Sequence, residues 1–229
     1  MRILAIHPIL EREGYDELTR EILSKVAFQG TEIDVVSLER GPASIESAYD
    51  EALAVPEVLK IVVEAERQGY DAVVILCMGD PGVAPARELV KIPVVGPCQA
   101  ALAIASTLGE RCSILTILRE AVPVFWRLAR RYGFEGHLAS VRSIEIPVLK
   151  LWDDRDAVFR ALAREGRLAI EEDGADVLIL GCTGMMDLGE RLQQQLGVPV
   201  VDPALAALKY AELLVSLNLS HRRVALSEG

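Results

Sequence analysis

Cys77 and Cys182 are the residues of this chain best placed, by type and spacing, to do chemistry. A thiol ionises near pH 8.5 in water, so close to neutrality it can take a proton as thiolate and return one as thiol. Each cysteine closes the same pattern. Gly69-Tyr-Asp71 opens an aliphatic run ending at Cys77, and Gly174-Ala-Asp176 opens one ending at Cys182, with every matched position 105 residues apart. The match continues from Lys91-Ile-Pro-Val-Val-Gly-Pro97 to Gly197-Val-Pro-Val-Val-Asp-Pro203, offset by one further residue. A lone cysteine is usually a small buried hydrophobe, and Cys98 and Cys112 are read that way. Two cysteines at equivalent points of a repeat call for a shared task. A planar carbanion or enolate held between two thiols can lose a proton to one and gain one from the other, which inverts an acidic carbon.

The repeat implies two similar lobes. Aliphatic runs bounded by turn residues mark parallel strands covered on both faces. Ligands of open α/β sheets sit beyond the carboxyl ends of such strands. We expect strands at Arg2–Ile6, Thr31–Leu38, Ala72–Leu76 and Val94–Val95, then at Cys112–Ile117, Leu138–Pro147, Val177–Gly181 and Val200–Val201. Helices are expected at Glu13–Phe28, Pro56–Gln68, Val83–Lys91, Ala100–Leu108, Glu120–Tyr132, Asp154–Glu172, Leu188–Leu196 and Pro203–Leu217, with His221–Gly229 as a tail. The fold class is therefore α/β: two pseudo-symmetric lobes, each a parallel sheet flanked by helices, with the active site in the cleft between them. Residues 1–97 and 204–229 would form the first lobe and 98–203 the second. Backbone N–H groups and helix starts after each cysteine would favour a thiolate there.

Composition removes several classes. The chain has 229 residues, 51% hydrophobic and 5% aromatic, and a net charge of −10. That charge, with a pI near 4.9, argues against nucleic acid as a partner, which asks for a basic stripe. No run has the apolar length of a membrane span. The first residues enter a strand without a signal-like stretch, so a reducing cytoplasmic setting with available thiols is expected. No Cys, His or Asp cluster has metal-ligand spacing. Four other residues stand out. His7 ends the first strand, where it would either hydrogen-bond the backbone or donate to a substrate carbonyl. Asp80, within Gly-Asp-Pro-Gly, is the kind of residue that caps its own turn. Trp126 and Trp152 are read as core or interface.

Gly41-Pro-Ala-Ser-Ile-Glu46, Cys77-Met-Gly-Asp-Pro-Gly82, Pro93-Val-Val-Gly96 and Leu180-Gly-Cys-Thr-Gly-Met185 resemble the hydantoin and allantoin racemase branch of the aspartate/glutamate racemase superfamily. The resemblance covers nearly the whole chain. It implies a cofactor-independent racemase with no metal and no pyridoxal phosphate, and it assigns the two bases to Cys77 and Cys182. The substrate would be a 5-substituted hydantoin or allantoin. Its carbonyls would be held by backbone N–H groups around Met78–Gly79 and Thr183–Gly184, with Ile45 and Met78 near the 5-substituent. Where the family has Asn-Pro-Asn-Thr, this chain has His7-Pro-Ile-Leu10; where it has Thr-Thr, this chain has Thr116-Ile117. Both positions would line the substrate end of the cleft. The expected partners are a small molecule with a hydantoin-type ring and further copies of the chain in a homo-oligomer. Other members of the superfamily, namely an amino-acid racemase, a maleate-type isomerase or an arylmalonate-type decarboxylase, stay open as alternatives. So does a two-lobed binding protein without catalysis.

Overall fold

The computed structural model describes residues 1–222. They fall into two compact units, one of Met1–Gly96 with the segment from Ala207 onward, the other of Pro97–Ala206. The first unit carries a parallel sheet of β1 (Arg2–Leu10), β2 (Glu32–Leu38), β3 (Ala72–Ile75) and β4 (Val94–Val95), in the order β2-β1-β3-β4. The second carries β5 (Cys112–Thr116), β6 (Leu138–Ser143), β7 (Val177–Leu180) and β8 (Val200–Val201), in the matching order β6-β5-β7-β8. Registers match as well. Ile6 lies opposite Ile75 as Leu115 lies opposite Leu180, so His7 and Thr116 are equivalent positions, each one step past the last pair.

Helices follow in order: α1 (Tyr15–Val26), α2 (Ala48–Arg67), α3 (Val83–Leu89), α4 (Pro97–Leu108), α5 (Val122–Tyr132), α6 (Arg155–Glu171), α7 (Gly189–Leu196) and α8 (Pro203–Ser216). In the first unit Val58, Val62 and Ala65 of α2 join Leu4, Ile6, Val73 and Ile75 in one core. In the second, Val158, Phe159 and Leu162 of α6 join Leu115, Leu178 and Leu180. Full burial of one such aliphatic side chain contributes about 1.5–3 kcal/mol. That explains why β3 and β7 are aliphatic throughout: all four residues of each are buried.

The repeated Gly and Asp serve this architecture. Gly69 (φ +78°) and Gly174 (φ +71°) sit in the left-handed conformation that lets the chain leave α2 and α6. Asp71 then accepts from the Arg2 N–H at 2.7 Å. Asp176 accepts from Glu110 and Arg111 at 3.1 and 3.0 Å. Each carboxylate thus holds the start of the neighbouring strand.

Several expected boundaries move. α2 begins at Ala48 rather than Pro56, because Ser47 caps it, accepting from Asp50 N at 3.2 Å. Pro56 lies inside the helix on an exposed position, where water can serve the carbonyl left without an N–H. β1 runs past His7 to Leu10; Pro8 falls in the irregularity between His7 and Leu10, beyond the pairing with β3, so no ladder bond is lost there. β6 stops at Ser143, near Glu145 with its left-handed φ of +57°. A 3-10 turn, Arg119–Ala121, precedes α5. Of the expected tail, residues 223–229 lie outside the described residues. His221 is docked, its ring accepting from Val94 N at 2.9 Å and its N–H donating to Lys91 O.

Candidate active site

Both cysteines stand one residue beyond the sheet. Leu76 N donates to Ile6 O at 2.8 Å, and the equivalent Gly181 N donates to Leu115 O at 2.7 Å; the next residue is Cys77 or Cys182. Each cysteine carbonyl then closes the same turn, accepting from the N–H three residues on: Asp80 to Cys77 and Met185 to Cys182, both at 3.0 Å. None of the four cysteines is in a disulfide, but their surroundings differ. Cys77 and Cys182 are half-buried, whereas Cys98 and Cys112 are buried. Burial pushes the Cys112 thiol up to about 11, which removes it from acid–base work near neutrality.

The turn after Cys77 is held from below. Gly79 lies beside the sulfur, where a Cβ would sit 3.7 Å from Cys77 Sγ. Asp80 is buried in a left-handed conformation (φ +51°). Its carboxyl fills the space over Gly96, where a Cβ would lie 2.5 Å from Asp80 Cγ. Asp80 is thus a wedge between the turn and the end of β4. Gly82 (φ +73°) then brings the chain against Val55 and Val58 of α2 and opens α3.

The turn after Cys182 is held differently. Gly181 admits no side chain, since a Cβ would lie 2.6 Å from both Leu115 O and Thr116 Cα. Thr183–Met185 form a 3-10 turn that starts directly at the cysteine, and all three are buried. Position 202, the counterpart of Gly96, is Asp202. Its carboxylate accepts from Asp187 N at 3.2 Å, Ala204 N at 2.9 Å and Leu205 N at 3.4 Å. Desolvation pushes it up to about 6, against the pull of those backbone bonds. Arg155, first residue of α6, reaches the carbonyls of Gly184 and Met186 at 2.9 and 2.7 Å and the carboxylate of Asp187. Neither Arg155 nor Asp202 was singled out by residue type; Asp202 could have been found from the break in the repeat, glycine in one copy and aspartate in the other.

The remaining candidates are placed as follows. His7 is buried under α1, its Nε2 3.0 Å from Thr19 Oγ1 and its ring stacked on Tyr15 with centroids 4.4 Å apart. Burial lowers it to about 3, so it is neutral at physiological pH. Its partner is the Thr19 side chain, where the sequence left open a backbone bond or a substrate carbonyl. Thr116 is fully buried, and its hydroxyl has no hydrogen-bond partner among the described residues. Met78, Thr183 and Gly184 are buried. Ile45 is half-buried against the core of the first unit. Among the described residues no group of three His, Cys, Asp or Glu side chains is arranged to hold a metal ion.

A strand-end thiol at the same register in each of two like-folded parallel sheets defines a class: α/β proteins built by repetition. The family described as Asp/Glu/Hydantoin racemase matches residues 13–211, and the chain belongs to that family. Hydantoin racemase of Rhizobium meliloti is 45% identical over 183 residues, covering 80% of this chain and 76% of that one. Hydantoin racemase of Paenarthrobacter aurescens is 38% identical over 219 residues, 95% of this chain and 92% of that one. The crystal structure of allantoin racemase from Pseudomonas fluorescens superposes with a TM-score of 0.93 at 37% identity, covering 98% of this chain and 95% of that one. The chain is an isomerase of the racemase type.

Proposed function

We propose that the enzyme inverts the C5 carbon of 5-substituted hydantoins, or of allantoin, by 1,1-proton transfer between Cys77 and Cys182. One cysteine, as thiolate, takes the C5 proton; the C–H electron pair passes into the adjacent carbonyl to give an enolate. The other, as thiol, returns a proton to the opposite face, and the enolate pair re-forms the C–H bond. The two thiols end the turnover with their protonation states exchanged. The observation that carries this reading is the pair of half-buried thiols at equivalent strand ends, where Cys98 and Cys112 are buried and burial pushes the Cys112 thiol up to about 11.

N–H groups at Met78–Gly79 and Thr183–Gly184 would serve the enolate oxygen and the ring carbonyls, where a neutral ring needs donors rather than cations. The buried Thr116 hydroxyl would offer one more. His7 stays neutral and tied to Thr19, a support for the strand end more than a proton carrier. Ile45 and Met78 would border the 5-substituent.

The test is a panel of enantiopure 5-substituted hydantoins, allantoin, aspartate and glutamate in deuterated water, with optical rotation and C–H signal followed together. Loss of rotation with deuterium uptake at C5 of a hydantoin or of allantoin is expected. Turnover of the amino acids alone would assign the site to a different substrate class.

A further inference from the structure

We propose that Arg155 is the positioning residue of the second cysteine turn: its guanidinium fixes the peptide planes after Cys182, so that the N–H groups of Thr183 and Gly184 are pre-set for the thiolate and the enolate. This rests on the proposed thiol chemistry and adds a residue to it. A trans peptide is planar, so holding its carbonyl fixes its N–H. Arg155 holds Gly184 O at 2.9 Å and Met186 O at 2.7 Å. The N–H ends of the same two planes are held from the other side. Met185 N donates to Cys182 O at 3.0 Å, and Asp187 N donates to the Asp202 carboxylate at 3.2 Å. The Gly184–Met185 and Met186–Asp187 planes are thus gripped at both ends, and the turn passes that hold back: Met185 N holds the Cys182 carbonyl, in the plane that carries the Thr183 N–H, and Met186 N holds the Thr183 carbonyl at 3.1 Å, in the plane that carries the Gly184 N–H.

Local rules speak against an arginine here for any lesser reason. A cation at the first residue of a helix opposes the helix dipole. Asp154 already caps α6, accepting from Ala157 N at 2.8 Å. Arg155 is turned away from solvent, its side chain 23% exposed, and is stacked on Trp152 with the guanidinium carbon 4.1 Å from the ring centroid. It also pairs with Asp187, which holds a left-handed φ of +74° that a non-glycine residue seldom adopts. A rule broken at a helix start, with a strained residue held in place by the same side chain, is the pattern of a site under functional constraint. The first cysteine turn has the Asp80 wedge over Gly96.

The experiment compares Arg155→Met and Arg155→Lys with the unaltered protein. In Arg155→Met, kcat on the substrate found by the panel should fall about 10- to 100-fold, with KM moving less than about threefold, because the lost alignment serves the transition state. Lysine, which keeps the charge but not the planar fork, should fall between. Alkylation by iodoacetamide is read in parallel, with Cys182 and Cys77 resolved by peptide mass spectrometry across pH. Accessibility scales that curve without moving its midpoint. Loss of ordered N–H groups should move the Cys182 midpoint up by about half a unit or more and leave that of Cys77 in place. An unmoved Cys182 midpoint in both folded variants overturns the proposal, whatever happens to kcat. If the methionine variant does not fold, the lysine variant carries the same reading. If the panel finds no hydantoin turnover, the functional reading fails, while the Cys182 midpoint still decides the role of Arg155.

Discussion

A half-buried thiol is the useful compromise for proton transfer. Full burial takes Cys112 up to about 11, too high to ionise, and full exposure would leave the developing negative charge to bulk water. Cys77 and Cys182 have the intermediate setting. Serine in either place is a far weaker base, since its hydroxyl keeps its proton at neutral pH. Cys77→Ser and Cys182→Ser should each abolish net inversion in both directions, by about 10³-fold or more. Each should still exchange the C5 proton of one enantiomer with deuterated solvent, with retention, and the two variants should act on opposite enantiomers. Proton NMR of each enantiomer with each variant, beside polarimetry, checks this; a single variant that racemises near the unaltered rate would point to another base. The equivalent strand-end placement of the two cysteines was legible because the repeat marked it. The contacts around the second turn were not: Arg155 meets Gly184 across 29 positions of sequence, a contact no local pattern encodes.

At the scale of elements, a strand end and a helix start carry two of the buried titratable groups, His7 and Asp202. His7 lies one step past the last β1 residue paired with β3 and is lowered to about 3; Asp202 precedes α8 and is raised to about 6. Their linkages to stability have opposite signs. The unfolded chain protonates His7 near 6.5 and the folded one near 3, so its contribution is present above about 6.5 and is lost as pH falls toward 3. For Asp202 the folded chain holds the proton longer, so its contribution is present below about 3.8 and is lost as pH rises through about 6. The two offset one another between about 4 and 6, each with a weight on the order of a few kcal/mol. His7→Gln should therefore show stability falling as pH rises through this window, and Asp202→Asn stability rising. Urea unfolding at three pH values reads the difference between the variants, in which the other carboxylates cancel; parallel curves would refute it. Element types were largely visible in hydrophobic period and turn residues. The boundaries that moved did so for reasons outside those patterns: the Ser47 cap overrode Pro56, and pairing with β2 carried β1 past Pro8.

At the scale of the molecule, one repeat is built twice and then tied off unequally. Strand order and register recur, as do the Gly–Asp clamp and the cysteine turn. The first unit, however, is discontinuous in sequence: it is completed by the chain from Ala207 onward. In α8, Ala207, Leu208 and Ala211 are buried, and Glu212 is fully buried. Its carboxylate accepts from Phe28 N at 2.6 Å, Thr31 Oγ1 at 2.7 Å and Lys209 Nζ at 2.8 Å. A buried carboxylate is costly alone, but three donors satisfy this one, and they come from the turn between α1 and β2 as well as from α8 itself. Glu212→Ala would leave a part-buried N–H, a hydroxyl and a half-buried ammonium without their acceptor, a loss of about 3 kcal/mol. Glu212→Gln, which keeps an acceptor for Phe28 and Thr31, should lose less. The expected result is a lower urea midpoint for Glu212→Ala, with faster amide hydrogen exchange at Phe28 and Thr31 and along the start of β2. Unchanged exchange at Phe28 in a folded Glu212→Ala protein would mean that apolar packing of α8, rather than this carboxylate, closes the first unit.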